Sequence, residues 1–185
     1  MKKAFVMCLV LWGFSLNTVI AQSIDQFRIM PDRTEGIAGI RLSNFNGSGS
    51  VTIPFEVNGF PVRVLGADLF RGKELFTITI PNSIVTIEND AFRENFLTSL
   101  IIPNSVTFIG ESAFRNNLLT SVTIPNSVTT IRNWAFQDNL ITSITIGENV
   151  RIEDNSFPEN FRRAYNNTAG TYTRPNVNST QSTRR

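Results

Sequence analysis

The segment "IPNSVTTI" at residues 124–131 is a near copy of two earlier segments of the chain. Residues 80–87 read "IPNSIVTI" and residues 102–109 read "IPNSVTFI", so the copies recur with a 22-residue period. A fixed period of roughly 20 to 30 residues is typical of solenoids, in which one repeat forms one coil. The repetition therefore predicts a stack of coils that share one continuous core.

Phenylalanines follow the same period. Phe70, Phe92, Phe114 and Phe136 recur at this 22-residue spacing, and Phe157 comes one position earlier than the next step would place it. Stacked coils would set these rings above one another, because equivalent positions of neighbouring coils are adjacent in a solenoid. We therefore expect a buried column of aromatic rings.

An asparagine follows each of the last four phenylalanines at the third position after it, at Asn95, Asn117, Asn139 and Asn160. A row of amides could hold a ligand. An inward amide can also donate to and accept from turn N–H and C=O groups that would otherwise stay unpaired. We favour the structural interpretation, because buried polar groups are rarely left unpaired.

Alternation within each repeat predicts strands. Leu100 and Ile102 would point inward with an outward residue between them, and Pro103 would end the strand because it has no N–H to donate. Val106 and Ile109 would point inward again. The predicted fold is a β-rich solenoid of about five 22-residue coils with parallel strands.

The chain divides into four predicted segments. Residues 1–21 resemble a secretory signal peptide, with two lysines before a short apolar run and cleavage after Ala21. A membrane anchor is the alternative, although the run is too short to span a bilayer comfortably. Residues 22–50 would form an N-terminal cap with a strand pair, and residues 51–161 the repeats. Residues 162–185 would supply a short C-terminal cap and a flexible basic tail.

The composition limits the chemistry. The sequence has no histidine, and its one cysteine, Cys8, lies in the segment predicted to be removed. This argues against Ser-His-Asp and Cys-His catalysis and against the usual zinc sites. The mature chain would hold equal numbers of basic and acidic residues, which gives no support for a nucleic-acid partner. We expect no metal and no cofactor.

At residues 124–146, "IPNSVTTIRNWAFQDNLITSITI", the sequence resembles the BspA-type leucine-rich repeats of bacterial surface proteins, also called the Treponema pallidum type. The resemblance covers about residues 51–161, and "AGTYTR" at 169–174 resembles the ending of treponemal members. It implies a leucine-rich-repeat solenoid. It also implies a secreted or surface-exposed protein, of a family with several members tied to adhesion, host matrix or contact with other bacteria. The resemblance carries no catalytic residues.

Outward positions are the candidate ligand-binding residues, because the inward ones are committed to packing. The predicted strands expose rows of threonine and serine without charge, interrupted by Phe76 and Ile101. Other side chains stand out because their equivalents in other coils are small or polar: Phe108, Trp134, Arg93, Arg115 and Arg132. Tryptophan and arginine often anchor interfaces, so Trp134 is the best single candidate.

Three functions remain open. The first is a secreted, cell-surface or periplasmic non-catalytic module that binds a protein or glycan on host matrix or other cells. The second is a carboxylate-based polysaccharide enzyme, whose acids would have to meet in one cleft; the loop acids are Asp90, Glu111, Asp138 and Asp154. The third is an ice-binding protein with threonine ladders. We favour the first.

Overall fold

A computed structural model describes residues 27–31, 40–46, 48–153, 155–158, 161 and 169–173. The predicted signal peptide, the tail beyond residue 173, Asn160 and Asp154 lie outside these residues. The described strands are β1 (Phe27–Pro31), β2 (Ile40–Phe45), β3 (Gly49–Thr52), β4 (Glu56–Val57), β5 (Phe60–Leu65), β6 (Leu75–Thr79), β7 (Thr86–Ile87), β8 (Phe108–Ile109), β9 (Ser121–Ile124), β10 (Thr130–Ile131), β11 (Ser143–Ile146), β12 (Arg151–Ile152) and β13 (Gly170–Thr173).

One sheet runs along the stack from the N-terminal strand pair to the last coil. Its order is β1-β2-β5-β7-β8-β10-β12, and β1 and β2 pair antiparallel while the later strands pair in parallel. Ile87, Ile109, Ile131 and Ile152 are in register across it. We call this side of the solenoid the second face. The N-terminal strand pair and the parallel coils were both predicted from the sequence and are confirmed.

The strand face is formed by β3, β6, residues 97–102, β9 and β11. Here β3 pairs with β6 and β9 pairs with β11, both in parallel, and β13 closes the end by pairing antiparallel with β11. Residues 97–102 form no ladder with either neighbour, so the prediction of a paired strand in every coil is wrong at this coil. Leu100 replaces the β-branched residues that fill its column elsewhere, and β-branched residues favour extended backbone.

The loop side connects the second face to the strand face, at residues 88–96, 110–118 and 132–140. Alternate residues there donate to the next coil: Phe92 N–H to Ala113 O and Phe114 N–H to Ala135 O, both at 2.8 Å. The residues two before and two after Phe92 have φ of 56° and 60°. The intervening N–H groups donate within their own coil, Ala91 N–H to Glu88 O and Arg93 N–H to Asp90 O, so the main chain of this side is paired without being an ordinary strand.

The aromatic column predicted from the sequence lies at the centre of the core. Phe92 and Phe114 stack with centroids 5.0 Å apart, Phe136 continues the stack at 5.3 Å, and Phe157 follows at 5.1 Å. All of these rings are buried. Beyond Phe70 the column continues to Phe45, whose ring lies 5.1 Å away and is tilted by 58°.

The insertion between Pro54 and Pro81 forms a hairpin. β4 pairs antiparallel with the start of β5, and the tip residues Asn58 and Gly59 have φ of 53° and 80°. Two positive φ angles in succession define the tight turn that joins two antiparallel strands, and Asn-Gly is the sequence that adopts it most readily. The period lengthens here because the extra residues leave the coil.

Candidate ligand-binding faces

Two columns of small side chains cover the strand face. The first runs through Ser50, Thr77, Ser99, Ser121 and Ser143, and the second through Thr52, Thr79, Ile101, Thr123, Thr145 and Thr171. None of these positions carries a charge. The hydroxyls of Thr145 and Thr171 lie 2.9 Å apart and share a hydrogen bond. A flat array of neutral donors and acceptors therefore spans most of the described stack.

Ile101 interrupts the second column. It is 84% exposed, whereas the column supplies threonine at Thr79 and Thr123 on either side. It also lies in the coil that forms no ladder on this face. The fold accepts a hydroxyl at this position in the other coils, so nothing in the core requires an isoleucine here.

An apolar edge borders the hydroxyl columns, formed by Phe76, Phe96, Leu118 and Leu140. The rings of Phe76 and Phe96 stack with centroids 5.7 Å apart, and all of these side chains are exposed. Of this edge, only Phe76 was predicted from the sequence. The signal for the others was their 22-residue spacing immediately after the asparagine row, which was not recognised because large apolar residues at repeat positions usually belong to the core.

Trp134 lies on the loop side, not on the strand face. Its side chain is 39% exposed and its φ is 58°. The equivalent residues Asp90 and Ser112 have φ of 56° and 54°, so the left-handed backbone belongs to the fold and not to tryptophan. Aspartate adopts this conformation more readily than tryptophan does. The backbone therefore gives no reason for a tryptophan at this position.

Arg93 and Arg115 make ion pairs on the loop side. Arg93 Nη1 lies 3.0 Å from Asp90 Oδ1, and Arg115 Nε lies 2.8 Å from Asp138 Oδ2. Both arginines share a column with Arg71, so the expectation that equivalent positions are small or polar is wrong for this column. Hydrogen bonding by Asp68, followed by attraction to Glu94, raises the pKa of Arg71 above its ordinary value.

A recess opens where the second face meets the loop side. It has a volume of about 500 Å³ and is lined by Ala67, Thr86, Glu88, Asn89, Phe108, Glu111 and Arg132. Gly110 stands between Glu88 and Arg132 in their column, at the 22-residue spacing of the repeat. Glycine at this position lets the main chains of two coils approach closely, because a Cβ there would lie 2.6 Å from Asn89 N. We call this site the second-face recess.

Two sequence-predicted candidates meet in this recess. The guanidinium carbon of Arg132 lies 5.9 Å from the centroid of the Phe108 ring, within cation–π range. Arg132 Nη1 also lies 2.7 Å from Glu153 Oε1. The hydrogen bond from Arg132 lowers the pKa of Glu153, and the backbone N–H of Asn133 lowers it further, although partial burial acts in the opposite direction.

The predicted candidates thus fall on three sides of the solenoid. Phe76 and Ile101 share the strand face, Phe108 and Arg132 share the second-face recess, and the others lie on the loop side. They do not form one site. In the part of the chain that the structure describes, no cluster of three or more acidic, histidine or cysteine side chains is arranged to hold a metal ion. The same residues include no helix with the length and apolarity needed to cross a bilayer.

Residues 40–162 match the family model of the BspA type leucine rich repeat region, in six copies. The chain therefore belongs to the BspA-type leucine-rich repeat family, as the sequence predicted. The match begins at β2, which already pairs in parallel with β5.

Two solved structures of leucine-rich repeat proteins are similar to this chain. The leucine-rich repeat protein of T. pallidum (TpLRR) is 23% identical and has the same fold, with a TM-score of 0.53 over 67% of this chain and 70% of that one. A leucine-rich repeat protein from Bacteroides ovatus is 21% identical, with a TM-score of 0.45 over 74% of this chain and 50% of that one. This chain thus spans only about half of the Bacteroides protein. No curated protein matched the sequence.

Proposed function

We propose that the chain is an exported, non-catalytic binding protein that recognises a protein or glycan ligand, on host matrix or on other cells, through the strand face. The observation that carries this proposal is the position of Ile101, 84% exposed at the middle of a face that is otherwise covered by hydroxyls. The edge of the same face carries the stacked pair of Phe76 and Phe96.

These apolar side chains are unfavourable in water and are not needed for folding. The columns accept threonine at the equivalents of Phe76, namely Thr98, Thr120 and Thr142. Leaving apolar surface in water forgoes about 25 cal/mol for each Å² that could be buried. Large apolar side chains that stay exposed together are typical of an interaction site, and the stacked rings of Phe76 and Phe96 do so here. Comparison with the other coils therefore identifies Phe76 and Ile101 as exposed apolar side chains that the fold does not need.

The chemistry of the face favours a neutral ligand surface. Its hydroxyls can each donate and accept a hydrogen bond, and its apolar edge can cover aromatic or aliphatic groups of a partner. Nucleic acid is not favoured, because the columns contain no lysine or arginine to pair with phosphates. Membership of the family supports the same function, because the resemblance implies surface exposure and a link to adhesion.

Export rests on the predicted signal peptide at residues 1–21. Expression of the full chain in a bacterial host, followed by fractionation and N-terminal sequencing, tests it. We expect the exported form to begin at Gln22. Retention of the full-length chain in the cytoplasm would contradict export without affecting the binding proposal.

Binding is tested with residues 22–185 immobilised and probed with a panel of purified extracellular-matrix proteins and a glycan array. The informative variant is Phe76→Thr combined with Ile101→Thr, because both changes restore the residue found in the other coils. We expect this variant to lose capture by at least about tenfold with an unchanged or higher melting temperature. The control is Gln137→Arg, which restores the loop-side arginine column. Full capture by the double variant would refute recognition through the strand face.

A further inference from the structure

The second-face recess contains groups that the fold does not require. Phe108 lines the recess, whereas the two neighbouring coils have threonine at the equivalent position, Thr86 and Thr130. Arg132 occupies a column that has glycine at Gly110 in the coil before. The side chains of Phe108 and Arg132 lie against each other, with the guanidinium carbon 5.9 Å from the ring centroid. Two independent departures that meet in one recess point to a site.

The polar groups around the recess are held in place. Glu88 Oε2 accepts a hydrogen bond from the N–H of Ala67 at 3.0 Å, and Asn89 Oδ1 accepts one from the N–H of Glu111 at 2.9 Å. Arg132 is fixed by its 2.7 Å contact with Glu153. A site whose polar groups are already oriented loses less conformational entropy on binding.

The carboxylate of Glu111 differs from these groups. Glu111 is exposed, and within the described part of the chain its side chain makes no hydrogen bond or ion pair. Only its main-chain carbonyl accepts a hydrogen bond, from the N–H of Asp90. It can therefore accept a hydrogen bond from a ligand without breaking a bond within the protein. Its carboxylate would form a charge-assisted bond to a ligand hydroxyl, which is stronger than a neutral one.

We propose that the second-face recess binds one pyranose ring of a neutral saccharide, a hexose or an N-acetylhexosamine. A pyranose has an apolar C–H face and a rim of hydroxyls. Phe108 supplies an aromatic surface whose negative π-face attracts C–H groups, and Glu88, Glu111 and Asn89 supply acceptors for the hydroxyls. A volume of about 500 Å³ lies within the range of small-ligand sites, which is roughly 300–1,000 Å³.

Charge selects against acidic sugars. The carboxylates of Glu88 and Glu111 line the recess, and the charge of Arg132 is already compensated by Glu153 at 2.7 Å. A uronic acid, sialic acid or sulfated sugar would face like charges without a free cation, which disfavours binding. This site is on a different face from the hydroxyl columns, so the inference does not depend on the function proposed for the strand face.

The test is a glycan array followed by calorimetric titration of a neutral monosaccharide or disaccharide that binds. Phe108→Thr restores the residue of the neighbouring coils, and Glu111→Gln removes one charge at an exposed position where folding is not at risk. We expect each variant to weaken the saccharide affinity by about tenfold. Gln137→Arg, on the loop side and outside both proposed binding surfaces, is the matched control and should leave saccharide affinity unchanged.

Four outcomes would overturn the inference. The first three are no binding of any neutral saccharide at millimolar concentration, unchanged affinity in Glu111→Gln, and a preference for acidic saccharides. Loss of saccharide binding in Phe76→Thr but not in Phe108→Thr would also overturn it, and would instead support glycan recognition by the strand face. Conversely, an intact saccharide affinity in the strand-face double variant that has lost matrix capture would separate the two sites.

Discussion

The side-chain amide of Asn117 donates a hydrogen bond to the carbonyl oxygen of Phe92, in the preceding coil, at 2.9 Å. The same amide donates to Phe114 O at 3.1 Å, and its oxygen accepts from the N–H of Leu97 at 3.1 Å. Asn95 makes the equivalent bonds one coil before, to Phe70 O and Phe92 O. Each asparagine thus joins two coils at the turn beside the aromatic column. The structural role predicted for this row is confirmed for Asn95, Asn117 and Asn139.

Replacing Asn117 with alanine should lower the free energy of unfolding by about 2–4 kcal/mol, because several buried main-chain groups would lose their partner at once. Urea denaturation followed by circular dichroism measures the loss. Thr98→Ala, at an exposed position of a neighbouring column, is the control and should change stability by less than about 0.5 kcal/mol. Equal effects of both variants would contradict the role given to the asparagine row.

The contribution of each phenylalanine to the free energy of unfolding should depend on its position along the aromatic column. The ring of Phe114 has neighbours at 5.0 and 5.3 Å on its two sides, whereas the structure describes one ring beside Phe157, that of Phe136 at 5.1 Å. Phe114→Ala should therefore cost about 4 kcal/mol. Phe157→Ala should cost clearly less, because fewer packing contacts are lost and a cavity near the end can collapse more easily. Chemical denaturation of both variants compares them, and a larger loss for Phe157→Ala would contradict this account.

The core could be predicted from the sequence because each buried position is repeated. Phe92, Phe114 and the asparagine row recur at one spacing, and a spacing maps directly onto a column in a solenoid. Phe45 was missed because the step from Phe45 to Phe70 is longer than the repeat and breaks the period. The missing ladder at residues 97–102 was not predicted either, because Leu100 fits the alternation of buried residues as well as the isoleucine and valine of its column, and one lower β-propensity is a weak signal.

The surface was predicted less completely for a different physical reason. The 22-residue spacing shows which residues are equivalent but not whether their side chains point inward. Leu118 and Leu140 therefore could not be distinguished from core residues by residue type alone. The second-face recess required knowing which columns lie side by side. Phe108 and Arg132 belong to different coils, and only their lateral arrangement brings the ring and the guanidinium within 5.9 Å. The column of Glu88, Gly110 and Arg132 was nevertheless visible as a 22-residue spacing.

The close approach of two coils at Gly110 makes this position sensitive to any side chain. A Cβ added there would lie 2.6 Å from both Asn89 N and the carbonyl carbon of Glu88, which are main-chain atoms. Gly110→Ala should therefore destabilise the fold by about 2 kcal/mol, through forced separation of the coils. Its free energy of unfolding is compared with that of Gly59→Ala.

Gly59 provides a contrasting control. Its φ is 80° and a Cβ there would have open space, so Gly59→Ala should cost about 1 kcal/mol from backbone conformation alone. A smaller loss in Gly110→Ala than in Gly59→Ala would show that the coils are not in contact at Gly110.

Stability should depend on pH through Glu153. Its pKa in the folded chain is lowered from the ordinary value of 4.5, chiefly by the hydrogen bond from Arg132. A carboxyl with a lowered folded pKa contributes stability that is fully present above its unfolded pKa and is lost as the pH falls through the folded value. The free energy of unfolding of the wild type should exceed that of Glu153→Gln by roughly 0.5–1 kcal/mol at neutral pH. The difference is small because Arg132 is half exposed and water weakens the ion pair.

This difference should shrink as the pH is lowered below 4.5, because the protonated wild-type side chain then resembles glutamine. Thermal or urea denaturation of both proteins at several pH values measures it. A difference that stays constant down to the lowest pH at which the chain folds would contradict the pairing of Arg132 with Glu153.

Trp134→Asp, on the loop side, should leave capture of a matrix or cell-surface ligand by the strand face unchanged and should change stability by less than about 1 kcal/mol, because two effects on stability oppose each other. The variant gives up the contact area of a side chain that is 39% exposed, and it gains a residue better suited to a φ of 58°. Asp90 occupies the equivalent position of an earlier coil with φ of 56°, so the substitution introduces nothing that the repeat does not already accommodate. Capture is measured on immobilised residues 22–185, and the melting temperature is measured on the same preparation. Weaker capture than that of the wild type at equal stability would show that the binding surface extends to Trp134 on the loop side.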